Sequence, residues 1–412
     1  MAERLVWVAL FVGACTGGTM SGTDDDAGER LDASSDSGPG EVERDAAAAE
    51  GVDAGGELTD ADVMLDDGGF DAAVPGDDAG TPDAGGPPDP VGDPVFLATG
   101  DGGWTATSCD GGRTWSSRAS SSTSGDLSHS PWTAFGGAAI GNGALVAGFG
   151  WGYPGHVLRS TDGSRWSELP SSAFEGGTYG STAAVAFDGR EHLLYADRRG
   201  AWVSTDGARF RYDTSRALPA GADQIRQLRG FAGGRLVAAV ENQFSAGHAR
   251  GNYLLVGRDG GRTWTEGTGF ESGCASRIQI RGGDAELRGE TIVVAAERVC
   301  HSTDGGATWR GAASPSGAHV TDLFVDAEGF VAVSGSAVFR SRDGASWTRL
   351  GDVGGTVRVG AFAGGRYVAM SADGRAAFVS DDGARWTRAT APSAGATVRE
   401  LVAAEIPGGC GS

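Results

Sequence analysis

The chain has 412 residues and a formal net charge of −21, from 33 basic and 54 acidic residues. Nearly all of this charge lies in residues 16–93, where 22 acidic residues face two arginines, whereas residues 94–412 hold 31 acidic residues and 30 arginines and are close to neutral. A folded region without an excess of basic residues argues against a nucleic-acid partner.

The first 15 residues predict an export signal. Arg4 precedes an apolar stretch, residues 5–11, that is too short to span a bilayer. The next four residues read Val-Gly-Ala-Cys and resemble the lipobox of bacterial lipoproteins, which implies that Cys15 is acylated and becomes the new N-terminus. An ordinary cleaved signal is the alternative, and both place the mature chain outside the cytoplasm. Thr16 does not resemble the aspartate that holds some lipoproteins at the inner membrane, so we expect a cell-envelope protein of the outer membrane.

Residues 16–93 predict a disordered tether. They are largely Asp, Ala, Gly, Ser and Pro with almost no aromatic residues, so they cannot bury enough apolar surface to offset the entropy of ordering. A flexible chain of this length spans roughly 50 Å, and repulsion between its carboxylates extends it further. Weak calcium binding by the acidic runs is the alternative to a solvated spacer.

One short pattern occurs seven times after residue 94. A Ser is followed two residues later by an Asp, then by one or two Gly, and a Trp stands six or seven residues after the Ser. We call this pattern the Ser-Asp turn, and its aspartates are Asp110, Asp162, Asp206, Asp259, Asp304, Asp343 and Asp382. Successive copies start 52, 44, 53, 45, 39 and 39 residues apart, which is the length of one four-stranded propeller blade. The sequence therefore predicts an all-β fold, a seven-bladed β-propeller over residues 94–412.

Short alternating runs around each turn predict four strands per blade and no helix. In the third blade these runs are residues 182–187, 192–196, 201–204 and 209–212. The first blade begins at Val95 with its second strand and lacks an innermost one. Residues 397–402 are similar in sequence to the innermost strand of the last blade. We therefore expect this C-terminal segment to pair beside residues 95–99 and close the ring.

Four cysteines follow the predicted lipidation site, namely Cys109, Cys274, Cys300 and Cys410. They are expected to pair in an exported protein, and four thiols allow three connectivities. Cys410 follows the strand that should complete the first blade, and Cys109 lies in a Ser-Asp turn on the same rim. A Cys109–Cys410 bond would therefore lock the ring, which leaves Cys274 to pair with Cys300.

Each residue of the Ser-Asp turn has a structural explanation. The Asp accepts hydrogen bonds from amides of the turn that it opens, and Gly permits a positive φ. The Trp begins the outer strand, where its ring can fill the gap between adjacent blades. A pattern present in all seven blades cannot mark one active site, and Phe210 and Gly257 show that single positions tolerate replacement.

These turns resemble the Asp boxes of BNR repeats, and residues 94–412 are similar to the propellers of sialidases and of non-enzymatic BNR proteins. The sialidase catalytic propeller has six blades, so seven blades resemble more closely the photosystem assembly factors and other BNR proteins with binding roles. Sialidases carry Arg-Ile-Pro near the start of the propeller, where residues 93–95 here read Asp-Pro-Val. No spacing ties Tyr153 or Tyr179 to Glu175 as a nucleophile and its base.

Arginines on predicted innermost strands form one candidate ligand site. They are Arg226, Arg229, Arg277, Arg358 and Arg399. If they point together into the central channel, they would bind a carboxylate or a sulfate. The alternative is that they line a wet channel and pair with Glu400 or Asp322.

An aromatic, glycine-rich loop forms the second candidate. It contains Trp151 and Tyr153, and Phe244 lies in a later long loop. Exposed flat rings suit sugars or a protein hot spot, although they could instead cap the edge of a blade. Both candidates belong to the face opposite the Ser-Asp turns.

The sequence contains no metal-binding motif and no phosphate-binding loop, so no cofactor is expected. We therefore predict a membrane-anchored lipoprotein whose propeller binds a glycan or a protein, without catalysis, at the face opposite the Ser-Asp turns. The membrane is a partner through the lipid anchor only. An exo-sialidase type of glycoside hydrolase is the first alternative. An assembly or scaffold factor of an envelope complex is the second.

Overall fold

The computed structural model describes residues 93–118, 135–149, 156–175, 184–222, 224–242, 251–270, 274, 285–296, 298–315, 317, 319–392, 397–406 and 410. The predicted export signal and almost all of the tether lie outside these residues, so the boundaries at residues 15 and 93 stay predictions. Within the described part of the chain, no helix has the length and apolar character needed to cross a membrane.

The described strands form seven antiparallel sheets of four strands, and each sheet is one blade. The described part of the chain begins with three strands of blade 1, which are β1 (Asp93–Gly100), β2 (Thr105–Ser108) and β3 (Ser116–Arg118). Blades 2 and 3 follow, each from the innermost strand outward, with β4 (Phe135–Gly141), β5 (Ala144–Phe149), β6 (His156–Ser160), β7 (Ser167–Glu168), β8 (Ala184–Phe187), β9 (His192–Asp197), β10 (Gly200–Ser204) and β11 (Arg211–Asp213).

Blades 4 to 7 keep the same order. Blades 4 and 5 contain β12 (Gln224–Phe231), β13 (Arg235–Asn242), β14 (Gly251–Arg258), β15 (Thr263–Glu266), β16 (Ala285–Arg288), β17 (Thr291–Ala295), β18 (Val299–Ser302) and β19 (Arg310–Gly311). Blades 6 and 7 contain β20 (Asp322–Val325), β21 (Phe330–Ser334), β22 (Ala337–Ser341), β23 (Thr348–Asp352), β24 (Val359–Ala363), β25 (Arg366–Met370), β26 (Ala377–Ser380) and β27 (Thr387–Ala389). The last described strand is β28 (Val398–Ile406), and within the same described residues three single-turn 3₁₀ helices cover Asp101–Gly103, Ser171–Ala173 and Thr214–Arg216.

The hairpin between β24 and β25 shows how the local sequence sets the pairing. Ala363 pairs with Arg366 across Gly364 and Gly365, whose φ angles are 55° and 72°. Two residues with positive φ fit the right-handed twist of the strands that they join, and glycine adopts this geometry without steric cost. The glycine pair therefore fixes the register of the hairpin.

The seven innermost strands form a closed ring. Each contacts the next in the order β28, β4, β8, β12, β16, β20 and β24, and β24 contacts β28. Blade 1 is completed by β28, which pairs antiparallel with β1 from Ile406 opposite Asp93 to Glu400 opposite Thr99. The predicted closure by the C-terminal strand is confirmed, and so is the seven-bladed fold.

Both predicted disulfides are present. Cys109 is bonded to Cys410 with a Cα–Cα distance of 5.6 Å, and Cys274 is bonded to Cys300 with a Cα–Cα distance of 5.7 Å. The first bond joins the Ser-Asp turn of blade 1 to the residues that follow β28. It therefore fastens the C-terminal strand within the blade that it completes.

The hydrophobic core lies between neighbouring sheets. The Trp of the Ser-Asp turn contributes to it. Trp115 of blade 1 packs against the cluster that holds Val368 of blade 7, and Trp386 of blade 7 packs against the cluster that holds Val331 of blade 6. The large rings thus fill the gap between one blade and the preceding one, where burial of apolar area is worth about 25 cal/mol per Å².

We expect loss of the Cys109–Cys410 bond to destabilise the propeller more than loss of Cys274–Cys300. The bonds close segments of 301 and 26 residues. Chain entropy then makes the longer closure worth about 2 kcal/mol more. Chemical unfolding of the Cys109→Ala/Cys410→Ala and Cys274→Ala/Cys300→Ala variants measures the difference. Removing the buried second pair also leaves a cavity that costs about 1 kcal/mol, which reduces the difference without reversing it. An equal or smaller loss in the first variant would contradict the locking role.

Candidate functional site

The Ser-Asp turn is a compact hydrogen-bond network. In blade 5 the Ser302 hydroxyl donates to the Asp304 carboxylate at 2.7 Å and accepts from the Gly306 amide at 2.8 Å. The same carboxylate accepts from the amide and the hydroxyl of Thr308 at 2.9 and 2.6 Å. The indole of Trp309 donates to the Gly306 carbonyl at 3.0 Å, which attaches the ring to the turn.

The copy in blade 4 departs from this network. Gly257 replaces the serine, so no hydroxyl is present, and Asp259 has a φ of 52°. Among the described residues, the Asp259 carboxylate has no hydrogen-bond partner. A Cβ at Gly257 would lie 2.9 Å from the Trp264 ring, so this blade packs its tryptophan where the other blades place a serine.

Hydrogen bonds lower the pKa of the turn aspartates. Bonds from the side chain and amide of Thr308 and from Ser302 lower the pKa of Asp304 from 3.8 to about 2. The amide and guanidinium of Arg165 lower the pKa of Asp162, and those of Arg385 do the same for Asp382. Donors that favour the ionised form produce this shift, so these carboxylates are charged structural acceptors.

The Ser-Asp turns share one face with the hairpin turns that follow the innermost strands. The Gly260 amide donates to the Gly234 carbonyl at 2.9 Å, and the Gly305 amide donates to the Glu290 carbonyl at 2.9 Å. Asn142 reaches from blade 2 to the Thr205 carbonyl of blade 3 at 2.9 Å. We call this face the turn face.

Buried charged groups connect blades beneath the turn face. The Tyr367 hydroxyl of blade 7 donates to the Asp326 carboxylate of blade 6 at 2.7 Å, and Arg340 binds the same carboxylate at 2.6 Å. Burial, and then the bond to Asp326, raise the pKa of Tyr367. Arg216 of blade 3 is buried among carboxylates and donates to the Gly260 carbonyl of blade 4 at 2.6 Å.

The structure describes the side chains of three of the five predicted channel arginines. Arg399 forms a two-bond ion pair with Asp101, at 2.6 and 2.8 Å, and is half exposed. Arg358 is partly buried, and its Nε has no partner among the described residues. Arg229 forms an ion pair with Glu400 at 2.8 Å, as the alternative interpretation proposed.

The remaining predicted ligand residues cannot be placed. Arg226 belongs to β12, but its side chain lies outside the described residues, as do Arg277, Trp151, Tyr153 and Phe244. The binding site predicted at the face opposite the turn face therefore stays a prediction.

A central cavity of about 510 Å³ lies inside the ring of innermost strands. All seven innermost strands contribute to its lining, whose side chains are mostly apolar and include Phe231, Phe324 and Phe362. Gly189 and Ala232, in exposed hairpin turns of the turn face, also line it. Arg229 and Glu286 are the charged groups among its described lining residues. This is the volume and composition of an ordinary ligand pocket.

An ion pair crosses the ring at the end of the cavity away from the turn face. Arg229 belongs to blade 4 and Glu400 to blade 1, so their 2.8 Å contact joins strands on opposite sides of the axis. Glu400 also accepts a hydrogen bond from the Ala138 amide of blade 2 at 2.9 Å. At the matching position of blade 6, Asp322 accepts a hydrogen bond from the Gly360 amide of blade 7.

Glu286 differs from these two carboxylates. Among the described residues it has no hydrogen bond and no ion pair, although it interacts electrostatically with Arg229. Burial raises its pKa to about 8, the charge of Arg229 opposes the rise, and those of Asp322 and Glu400 add to it. The cavity thus contains a carboxyl group that is largely protonated at neutral pH.

Sequence reasoning missed Glu286 and the cavity on the turn face. Glu286 is a single acid in a four-residue strand, and nothing in its spacing marks it. Only the pairing register shows that it faces its neighbours across the ring. Within the described residues, no group of three His, Cys, Asp or Glu side chains is arranged to hold a metal ion.

No protein-family model matches the sequence, and no curated protein matches it either. Among solved structures, the propeller is similar to YCF48 bound to a D1 peptide, with 17% identity over 73% of this chain and 94% of that chain and a TM-score of 0.46. The Niastella koreensis GH74 enzyme has 18% identity over 76% of this chain and 43% of that chain, with a TM-score of 0.37. BamB from Moraxella catarrhalis has 10% identity over 72% and 83%, with a TM-score of 0.36.

We expect Asp304→Asn to lower the free energy of unfolding by about 1 kcal/mol or less at pH 7. The site is exposed, and the asparagine side chain has one acceptor oxygen where the carboxylate has two. The pKa of Asp304 is lowered, so its contribution is complete above 3.8 and is lost as the pH falls through about 2. The difference from the parent protein should therefore narrow below pH 3.8, as urea unfolding at pH 7 and at lower pH would measure. Asp259→Asn is the matched control, expected to be neutral, and a similar loss there would contradict the role of the network.

Proposed function

We propose that this chain is a non-catalytic binding propeller, exported and lipid-anchored at Cys15, that takes a segment of a protein partner into its central cavity. One observation carries the proposal. A cavity of about 510 Å³ is lined by all seven innermost strands and reaches exposed turns of the turn face. A rigid ring around a pocket of this size can hold a few side chains without rearranging.

The lining favours a protein segment over a glycan. Its walls carry phenylalanines and small aliphatic residues, with Arg229 and Glu286 as the charged groups. Sugars require many polar partners, whereas apolar side chains are bound by burial in a pocket with a few placed polar groups. The glycan ligand and the loop face predicted from the sequence remain the competing outcome.

We also propose that the seven Ser-Asp turns are Asp boxes of BNR repeats. The contacts of Ser302, Asp304 and Trp309 support this, because each residue of the pattern has a defined partner. A binding role rather than sialidase chemistry is supported by Tyr367. It contacts both a carboxylate and an arginine, but burial raises its pKa, the opposite of what a nucleophile needs.

The proposed anchor gives the propeller its working position. A lipid on Cys15 followed by a flexible tether over residues 16–93 would let the propeller move within a reach of roughly 50 Å from an outer-membrane surface. Such a tether lets one molecule search a volume for its partner without leaving the membrane.

We expect Ala232→Trp to weaken ligand binding about tenfold or more, because an indole at this exposed rim position blocks the cavity. Ligands would be found by selecting random displayed peptides for binding to the full chain and by screening a glycan array. Calorimetry then measures their affinities. Ala327→Trp is the matched control, since it lies in the equivalent turn of blade 6 and does not line the cavity. Peptides that bind both variants equally, or glycans bound in place of peptides, would contradict the proposed site.

We expect Cys15→Ala to release the protein from the membrane fraction and to abolish metabolic labelling with a clickable fatty acid, because the thiol is the proposed acylation site. Thr16→Ala should keep both properties. Thermal unfolding of the propeller should not change, since the lipid lies at the far end of the tether. Membrane retention of Cys15→Ala would exclude the anchor.

A further inference from the structure

Among the residues that the structure describes, carboxylates outnumber cations at the end of the cavity away from the turn face. Glu286, Asp322 and Glu400 interact there with one described arginine, Arg229. Asp322 and Glu400 are buried, and each accepts a backbone amide of the next blade. Glu400 also holds Arg229. Glu286 is the remaining carboxylate, and it has no hydrogen-bond or ion-pair partner among the described residues.

We infer that the cavity binds a cationic group, a guanidinium or an ammonium on an apolar stem, with Glu286 as its acceptor. This rests on the proposed function and names the side chain that the partner segment inserts, an arginine or a lysine. The stem would pack against the phenylalanine wall, and the charged end would reach Glu286, the carboxylate that has no structural partner among the described residues. Charge-assisted hydrogen bonds in a largely apolar pocket are strong and selective.

Arg229 does not make this an anion site. Its guanidinium is paired with Glu400 at 2.8 Å, so an incoming anion would have to displace a carboxylate already in place. That anion would also approach Glu286 and, beyond it, Asp322, which repel it once ionised. The charge of the cavity is therefore complementary to a cation.

Binding of a cation should be coupled to proton release. The pKa of Glu286 is raised to about 8 through burial, which the charge of Arg229 opposes and the charges of Asp322 and Glu400 reinforce. A cation beside the carboxyl favours its ionised form and must displace the proton at neutral pH. Below the pKa of Glu286, affinity for the cation should therefore increase about tenfold for each unit by which the pH is raised. Above that pKa, affinity should level off.

The test uses the full chain and three small probes of similar shape. Phenethylguanidinium is the cation, phenethylurea is its neutral isostere, and phenylpropionate is the anion. Calorimetry at about pH 6, 7, 8 and 9 keeps the guanidinium charged throughout, since its pKa exceeds about 12. We expect the guanidinium to bind at least about tenfold more tightly than the urea at about pH 9, with a preference that falls at lower pH.

Glu286→Gln should remove both the preference for guanidinium over urea and its dependence on pH. Glu328→Gln, an exposed acid of the turn face, should keep both. If Glu286→Gln impaired folding, the three probes and the pH series on the unmodified chain would still test whether the cavity prefers a cation. Equal binding of the urea, tighter binding of the anion, absence of binding by every probe, or a flat pH profile would each overturn the inference.

Failure here is distinguishable from failure of the proposed function. Peptides that bind the parent chain and lose affinity in Ala232→Trp, without a requirement for Arg or Lys, would leave the cavity as a binding site and remove only its cation specificity. Binding of the guanidinium probe without any selected peptide would keep the cation site and remove the protein partner.

Discussion

Closure of the ring by β28 is the constraint on which the rest of the structure depends. Blade 1 takes three strands from the start of the folded region and its innermost strand from the end. Without that strand, β1 would expose an unpaired edge, and the circle of contacts from β24 through β28 to β4 would be broken. The central cavity exists only inside that circle. Fold, stability and candidate site therefore share one interaction, the pairing of the two ends of the domain.

The inner edges of the blades create a second requirement. An innermost strand has a neighbour on one side only, so amides that face the channel need other partners. Asp322 and Glu400, at matching positions of blades 6 and 1, each accept such an amide from the next blade. Burying these carboxylates is costly, and Arg229 offsets part of the cost across the axis. Glu286 has no such structural partner among the described residues, which is why it is the group available to a ligand.

The sequence predicted the framework because the framework repeats. Spacing of the Ser-Asp turns gave the number of blades, and the missing first strand together with the spare last strand gave the closure. The disulfide Cys109–Cys410 followed from that closure. The site could not be predicted in the same way, because it depends on single residues whose direction is set by register. Arg399 and Glu400 are adjacent and point to opposite faces, so the arginine pairs with Asp101 while the glutamate reaches the channel.

Hydrogen exchange of the β28 amides tests the closure most directly. If the C-terminal strand is an integral part of the ring, its amides paired with β1 should exchange as slowly as those of β25, deep in blade 7, and only through global unfolding. Deleting residues 397–412 should then raise exchange in all seven blades. Rapid exchange of residues 398–406 in the intact chain, or unchanged protection after their deletion, would show that the ring does not depend on this strand.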